Sequence, residues 1–389
     1  MSNTASAIQT REKSMIRKEL TVRFNTPAFL GNAEQSGQWR TPPFKHLLRE
    51  WWRVAWAEAN DFNVNLDRMR HAEGRLFGVA ADEGDTRQSQ VRIRLGQWQA
   101  GRERRWKTDP GVFHPEVGAN GRDVGAHLYL GYGPLIWQNQ ATSLKANAAI
   151  QAGEKNDLKL AYPDAEKSLL DRALALASAF GALGGRARNG WGSLELQGDT
   201  LPELEPLPLR DWRDCLRLEW AHAIGMDDDG ALIWRTESFA DWSDLMKALA
   251  RLKIELRTQF GFILNGSAGD RQLYKFNKKK NKKEKSGIEH GAPQQRHWLS
   301  YPVTHHSVKP WDEAVKNTEA KRIGLGNRLP NSLRYKIRCD DDGRLYGVIF
   351  HMPCKPPNHF SPKTNSLEAV WRQVHRFLDG NNTIQRSPK

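Results

Sequence analysis

The stretch GALGGRARNGWGSLEL, residues 181 to 196, holds five glycines in its first twelve positions, with Arg186 and Arg188 between them. Bare backbone amides beside guanidinium groups suit phosphate oxygens. A helix that ends in positive φ needs only one or two glycines. Here Gly184 and Gly185 come as a pair, and Gly190 and Gly192 flank Trp191. Glycines beyond the capping need point to close approach of another backbone or a ligand. If the segment is extended, Arg186 and Arg188 point the same way. Taken alone the pattern fits a tight turn or a phosphate site.

A second basic feature lies earlier, in TPPFKHLLREWWRVAWAEAN, which reads as a helix entered through proline. On a helical wheel Phe44, Leu47, Leu48, Trp51, Val54 and Ala55 share one face. Lys45, Arg49, Trp52, Arg53 and Trp56 gather on another. That face is either a solvated cationic stripe or a surface offering charge and flat rings to nucleic acid. A third is the tract KFNKKKNKKEK, 275 to 285, inside a polar stretch of about 266 to 295 expected to be a mobile loop. The formal charge of the chain is +14, and the tract supplies +6 of it. The folded body is therefore basic too, which points to a polyanionic partner.

Catalytic and metal chemistry find no comparable pattern. His46 and the pair His305 and His306 sit in no motif, and surface or hydrogen-bonded histidines are the expectation. The two DDDG groups, at 227 to 230 and 340 to 343, fit hairpin turns and lack calcium-loop spacing. Cys215, Cys339 and Cys354 show no paired spacing, so neither disulfides nor zinc are expected, and a reducing cytoplasm fits. No nucleophile motif or phosphate-loop motif occurs. No apolar run approaches the roughly 18 residues of a membrane span, and the first twenty residues lack the apolar region of a leader. No catalytic residue, cofactor, metal or membrane partner is predicted.

The elements that must position these residues divide the 389-residue chain in two. Residues 1–18 read as a flexible arm, with a half-buried strand beginning near Leu20. Residues 19–200 form a first domain, whose section from 61 to 160 has no clear assignment. A confident period of 3.6 over 164 to 183 gives a helix running straight into the glycines. The proline-rich 201–212 is a linker, and 213–389 form a second domain. There CLRLEWAHAI alternates as a strand, 239 to 258 is a helix, and SLRYKIRCDDDGRLYGVIFHMP is a hairpin. On its first strand Leu333, Tyr335 and Ile337 face one way and Arg334, Lys336 and Arg338 the other. A helix at about 366 to 378 closes the chain. Each half is α+β, a sheet covered by helices on one face.

In combination, the TPAFLG strand end, the TPPFKHLLREWWR helix and the GALGGRARNGWGS loop resemble the RAMP superfamily of CRISPR proteins. More narrowly they are similar to the family of the subunit numbered one in the type III-B Cmr RNA-guided effector. Arg40, Pro43, Lys45, Leu48, Arg49, Trp51, Trp52 and Arg53 match that family's helix motif. Gly184, Gly185, Arg186, Arg188, Gly190, Trp191 and Gly192 match its loop, and RIGLGNRLPNSLRYKI is similar to its second-domain segment around an arginine and a proline. His46 stands where the family has glycine, and Asn32 where it has a second glycine after FLG.

The resemblance implies two tandem ferredoxin-like (RRM-like) RAMP domains with long insertions. It implies a non-enzymatic RNA-binding scaffold, whose partners are CRISPR RNA, target RNA and other RAMP subunits of the effector. The candidate RNA contacts are Arg40, Lys45, Arg49, Trp52, Arg53, Gly184, Gly185, Arg186, Arg188, Asn189 and Trp191. Lys278, Lys279, Lys280, Lys282, Lys283, Arg334, Lys336 and Arg338 are further candidates. Two other readings are a metal-independent CRISPR RNA processing endoribonuclease of the same superfamily, and a protein-interaction module whose charge serves an acidic neighbour.

Overall fold

The computed structural model describes residues 14–79, 86–106, 108–263, 270–277 and 282–387, with backbone alone described for 274–277 and 282–286. The N-terminal half opens with β1 (Met15–Phe24), whose burial alternates from Ile16 onward, so the strand starts five residues before the expected Leu20. It is followed by α1 (Thr41–Glu58), α2 (Leu66–Phe77) and β2 (Arg92–Leu95). An insertion then carries two hairpins, β3 (Gly111–His114) with β4 (Arg122–Gly125) and β5 (Leu135–Gln138) with β6 (Ala141–Leu144), around a short α3 (Ala126–Gly131). The chain returns as β7 (Lys155–Pro163), α4 (Lys167–Phe180) and β8 (Leu194–Gly198). The sheet order is β2-β7-β1-β8, every pair antiparallel. With α1 and α4 as its crossings this is the β-α-β-β-α-β plan of a ferredoxin-like domain.

The expected linker is partly structured. Leu209–Asp211 forms β9, which pairs in parallel with β10 (Ile224–Asp227), and α5 (Trp212–Cys215) buries Trp212. The stretch from 215 to 224 is turn and bend until Ile224, not the expected strand. Its apolar residues instead lie under neighbouring elements, with Cys215, Leu216 and Ala223 buried. The first DDDG group does turn a hairpin, from β10 into β11 (Gly230–Ala231).

The second ferredoxin-like domain comprises β12 (Ile233–Phe239), α6 (Trp242–Thr258), β16 (Leu333–Cys339), β17 (Leu345–His351), α10 (Thr364–Asp379) and β18 (Ile384–Arg386), in the order β16-β17-β12-β18. Its insertion holds β13 (Arg271–Asn277), β14 (Lys282–His290), α7 (Gln295–Leu299), β15 (His306–Val308), α8 (Lys309–Ala314) and α9 (Thr318–Arg322). The lysine tract was expected in a loop, but its described residues lie on β13 and β14, which pair antiparallel.

Two cores result. Leu20, Val22, Leu158 and Leu160 of the first sheet pack beneath Phe44, Leu47, Leu48 and Trp51 of α1 and Leu174 and Ala177 of α4. Tyr346, Val348 and Phe350 of the second sheet join this same cluster, Phe350 lying 5.1 Å from Phe180 between ring centroids. The other face of that sheet, with Trp234, Tyr335, Ile337 and Ile349, packs on α6 and α10. The second sheet is thus covered on both sides. The first keeps its helix-free face open.

Candidate nucleic-acid interface

The glycine loop is not extended. It is a run of turns that closes the joint between the two domains. Gly184 and Gly190 sit at φ of about +92° and +91°, where a Cβ would lie 2.6 Å from Phe29 O and 2.6 Å from Ile337 Cδ1 respectively. Two backbone bonds tie the loop to the TPAFLG segment, Gly185 N to Phe29 O and Gly192 N to Pro27 O, and a third runs from Asn25 N, just before it, to Ser193 O. On the other side Tyr335 N donates to Arg188 O and Ile337 N to Ser193 Oγ. The glycines therefore serve close backbone approach first, and both domains meet on them.

Several candidate contacts turn inward. Trp52 and Trp191 were expected to offer rings to bases, but they are 1% and 0% exposed. Trp52 packs edge-on against Phe77 of α2, a helix within the section from 61 to 160 that has no clear sequence signal, and Trp56 is buried too. Trp191 lies among Phe29, Trp106 and Trp242. Arg49 and Arg53 both donate to the one buried carboxylate of Glu73 on α2, which ties the basic stripe of α1 down and offsets one of its charges. Lys45 is half-buried, and burial followed by Arg49 pushes its ammonium below the ordinary range. Arg40 caps the start of α1 with its Nε buried and without a hydrogen-bond partner.

The basic face expected on β16 is likewise inside. Arg334 pairs with Glu50 of α1 at 2.7 Å, and Lys336 donates to the carbonyls of Gly181 and Leu194. Both bind the second domain to the first. Burial would raise the Glu50 carboxyl, but Arg334 and Arg188 hold it below its ordinary range. Arg188 is half-buried and donates to Asn331 O. Arg338 lies 5.9 Å from the Tyr346 ring centroid. Lys278, Lys279 and Lys280 lie outside the described residues, and Lys282 and Lys283 are on β14.

What the fold does assemble is a line of cations along the joint. Arg186, exposed and at φ of about +60°, is held by a bond from its Nε to Tyr132 O, 2.6 Å. Lys253 of α6 donates to Asn189 Oδ1 at 2.6 Å, while Asn189 Nδ2 donates to Leu130 O. One turn further along α6, Arg257 donates to Ser300 Oγ. Burial, then Arg257 and Arg186, pushes Lys253 down to about 7. Burial and then Arg328 lower Arg186; burial lowers Arg257, with Arg296 acting in the same direction. Among the described residues none of Arg186, Lys253 and Arg257 is paired with a carboxylate, whereas neighbouring Arg296 has Glu116. Desolvated cations crowded together without counter-charge are costly unless an anion completes them.

Lys253 and Arg257 were missed in the sequence because they sit on an ordinary amphipathic helix. Their i, i+4 spacing was the one available signal. Near them Asp270, His290 and His306 form a hydrogen-bonded line of 2.7 and 2.9 Å, with Phe262 stacked on His306 at 3.8 Å. Burial, then His290, pushes His306 down to about 4. His46 and His305 are exposed. Among the described residues no group of histidine, cysteine and carboxylate ligands could hold a metal, and no helix is long and apolar enough to cross a membrane.

Residues 22–195 match the model of the RAMP superfamily. The match runs from the end of β1 to the start of β8 and so takes in β2, β7, α1, α4 and the glycine loop. Among solved structures, the chain is similar to Cmr1 from Pyrococcus furiosus in its apo form. Identity is 12% and the TM-score 0.40, with 93% of this chain and 96% of that one covered. It is similar also to a chain of the type III-B Cmr-beta complex bound to cognate target RNA, at 10% identity and a TM-score of 0.44, covering 92% and 99%. No curated protein matches the sequence.

Proposed function

We propose that this protein is an RNA-binding scaffold subunit of a type III-B CRISPR (Cmr) effector, working in the cytoplasm. It holds the 3′ region of the CRISPR RNA, the facing target RNA, or both, alongside other RAMP subunits, and is not itself an enzyme. The observation that carries the reading is the cation line Arg186, Lys253 and Arg257, which has no ion-pair partner of its own among the described residues, with the exposed backbone of Gly184 in the same joint. A phosphodiester supplies the missing charge there and costs the site no reorganisation. The RAMP match over 22–195 and the two motifs within it supply the superfamily context. Arg188, bonded to Asn331 O, supports the loop from behind.

The test is a tagged pull-down from the native host. Co-purification of further RAMP-like chains with one short, discrete RNA class supports the scaffold; the lone chain without RNA removes it. In vitro, Arg186→Ala with Lys253→Ala lowers single-stranded RNA affinity and flattens its salt dependence by about 0.7 for each phosphate that the variant no longer neutralises.

The processing-endoribonuclease reading has one observation in its favour, the Asp270–His290–His306 line, which presents a neutral imidazole able to accept a proton. It requires that purified protein cut repeat RNA in EDTA and that His306→Ala abolish the cut.

A further inference from the structure

The helix-free face of the first sheet has a second set of uncompensated cations, well away from the joint. On β2 Arg92 and Arg94 stand two apart, opposite Ala161 and Lys159 of β7. On β1 Arg17 lies opposite that same Ala161, and Arg23 opposite Lys155. These residues share one face by strand alternation, and Arg17, Arg92, Arg94, Lys155 and Lys159 are exposed. Among the described strand residues of the face, Glu19 pairs with Lys159, and Glu195 accepts from Asn25 Nδ2 and Cys339 N while keeping its charge. Arg17, Arg92, Arg94 and Lys155 therefore outnumber the remaining carboxylates Asp157 and Glu195 two to one, and the face is net positive.

An aromatic ring adjoins these charges. The chain leaves β2 at Gly96, whose amide donates to Asp157 O, and Gln97 is pinned by two bonds to Asn156. Trp98 follows immediately, with its ring 58% exposed. Most tryptophans of this protein are buried, so a large ring left in water beside a cationic face calls for a partner. Spaced cations with a neighbouring ring suit a single strand, whose phosphates take the charge and whose bases stack. A duplex has no free base for the ring.

We propose that this open sheet face, with Trp98 at its edge, is a second track for single-stranded RNA, read through backbone charge and one stacked base and without base-edge specificity. The proposal rests on the RNA-binding function above and adds a surface to it. In that arrangement one strand is held at the joint and another stretch of nucleic acid crosses the sheet.

The experiment uses the full chain and a fluorescent oligouridylate, titrated at several salt concentrations. Arg92→Ala with Arg94→Ala is expected to lower the salt slope by about 1.4, two phosphates at about 0.7 each. Trp98→Ala is expected to weaken binding roughly tenfold or more at fixed salt, with little change of slope. Circular dichroism and melting of the variants should match the parent, since these side chains are on the surface. Unchanged affinity and slope in both variants overturn the track while leaving the joint, if Arg186→Ala with Lys253→Ala still weakens binding. No binding by the parent chain overturns both. Preferential binding of a polyglutamate probe, abolished in the same variants, assigns the face to an acidic protein and overturns the RNA track.

Discussion

Lys253 Nζ donates to Asn189 Oδ1 at 2.6 Å, joining a helix of the second domain to the glycine loop of the first. The bond fixes the lysine in the joint, where burial and two neighbouring guanidinium groups have already brought it close to neutral.

RNA affinity should therefore be pH-dependent. A phosphate beside Lys253 favours the ammonium form and raises its pKa from about 7, so binding takes up protons. Affinity is full below about 7 and weakens as pH rises above it, by up to about tenfold per unit. Lys253→Arg keeps its charge and should flatten the profile. A parent chain whose affinity is the same at neutral and mildly alkaline pH rules out the lysine as a phosphate contact.

The glycine loop should tolerate no side chain at its tightest point. At Gly192, φ of about +65° places a Cβ 1.9 Å from Leu183 O. Gly192→Ala should destabilise by on the order of 2–4 kcal/mol, measured by urea unfolding. Gly153 has positive φ but open space, so Gly153→Ala should cost only the backbone strain of about 1–2 kcal/mol.

Lys336 makes a second prediction about the joint. Its fully buried ammonium lies at the C-terminal end of α4, where the helix dipole is negative, and donates to Gly181 O and Leu194 O. Lys336→Met leaves two buried carbonyls without a donor and should cost on the order of 2–3 kcal/mol. Burial lowers this lysine from 10.5 to about 7, so between these values the unfolded chain holds the extra proton and stability rises with pH. The methionine variant should lose that rise, which chemical denaturation at about pH 7 and 10 will show.

Acid should unfold the protein early. Burial lowers His222 to about 4, His297 to about 3 and His375 to about 3, all from 6.5. A histidine whose folded value is depressed contributes stability present above 6.5 and lost as pH falls toward the folded value. The histidine contribution to melting temperature should be level above neutrality, where the Lys336 rise is superposed on it, and should drop steeply from 6.5 down to about 4. His375→Gln should make the drop shallower; an unchanged acid limb would mean that this imidazole does not stay neutral inside the fold.

Much of the frame was legible in local pattern. The apolar face of α1, the helix running into the glycines, the α6 and α10 periodicities and the Asp-Gly hairpin all occur where expected. Each depends on residues close in sequence, whose periodicity carries the information. The section from 61 to 160 was not legible because its strands are short or set within an insertion. The tract at 275 to 285 was misread because charge density suggests a loop, whereas cross-strand hydrogen bonding depends on a partner segment.

Residue types and their spacing dictate which positions can be charged, which must turn and which are too apolar for water, and so the two α+β halves and the basic character. What each charge faces is set by contacts made across the chain. Arg49 and Arg53 met Glu73, Arg334 met Glu50 and Lys336 met two carbonyls, all far away in the chain. Lys253 and Arg257, unremarkable on their helix, have no ion-pair partner among the described residues, and the Glu116 carboxylate that acts on Arg257 is held by Arg296. Whether a cation is neutralised or left seeking an anion depends on distance and burial, and these are set when the domains close on the glycine loop.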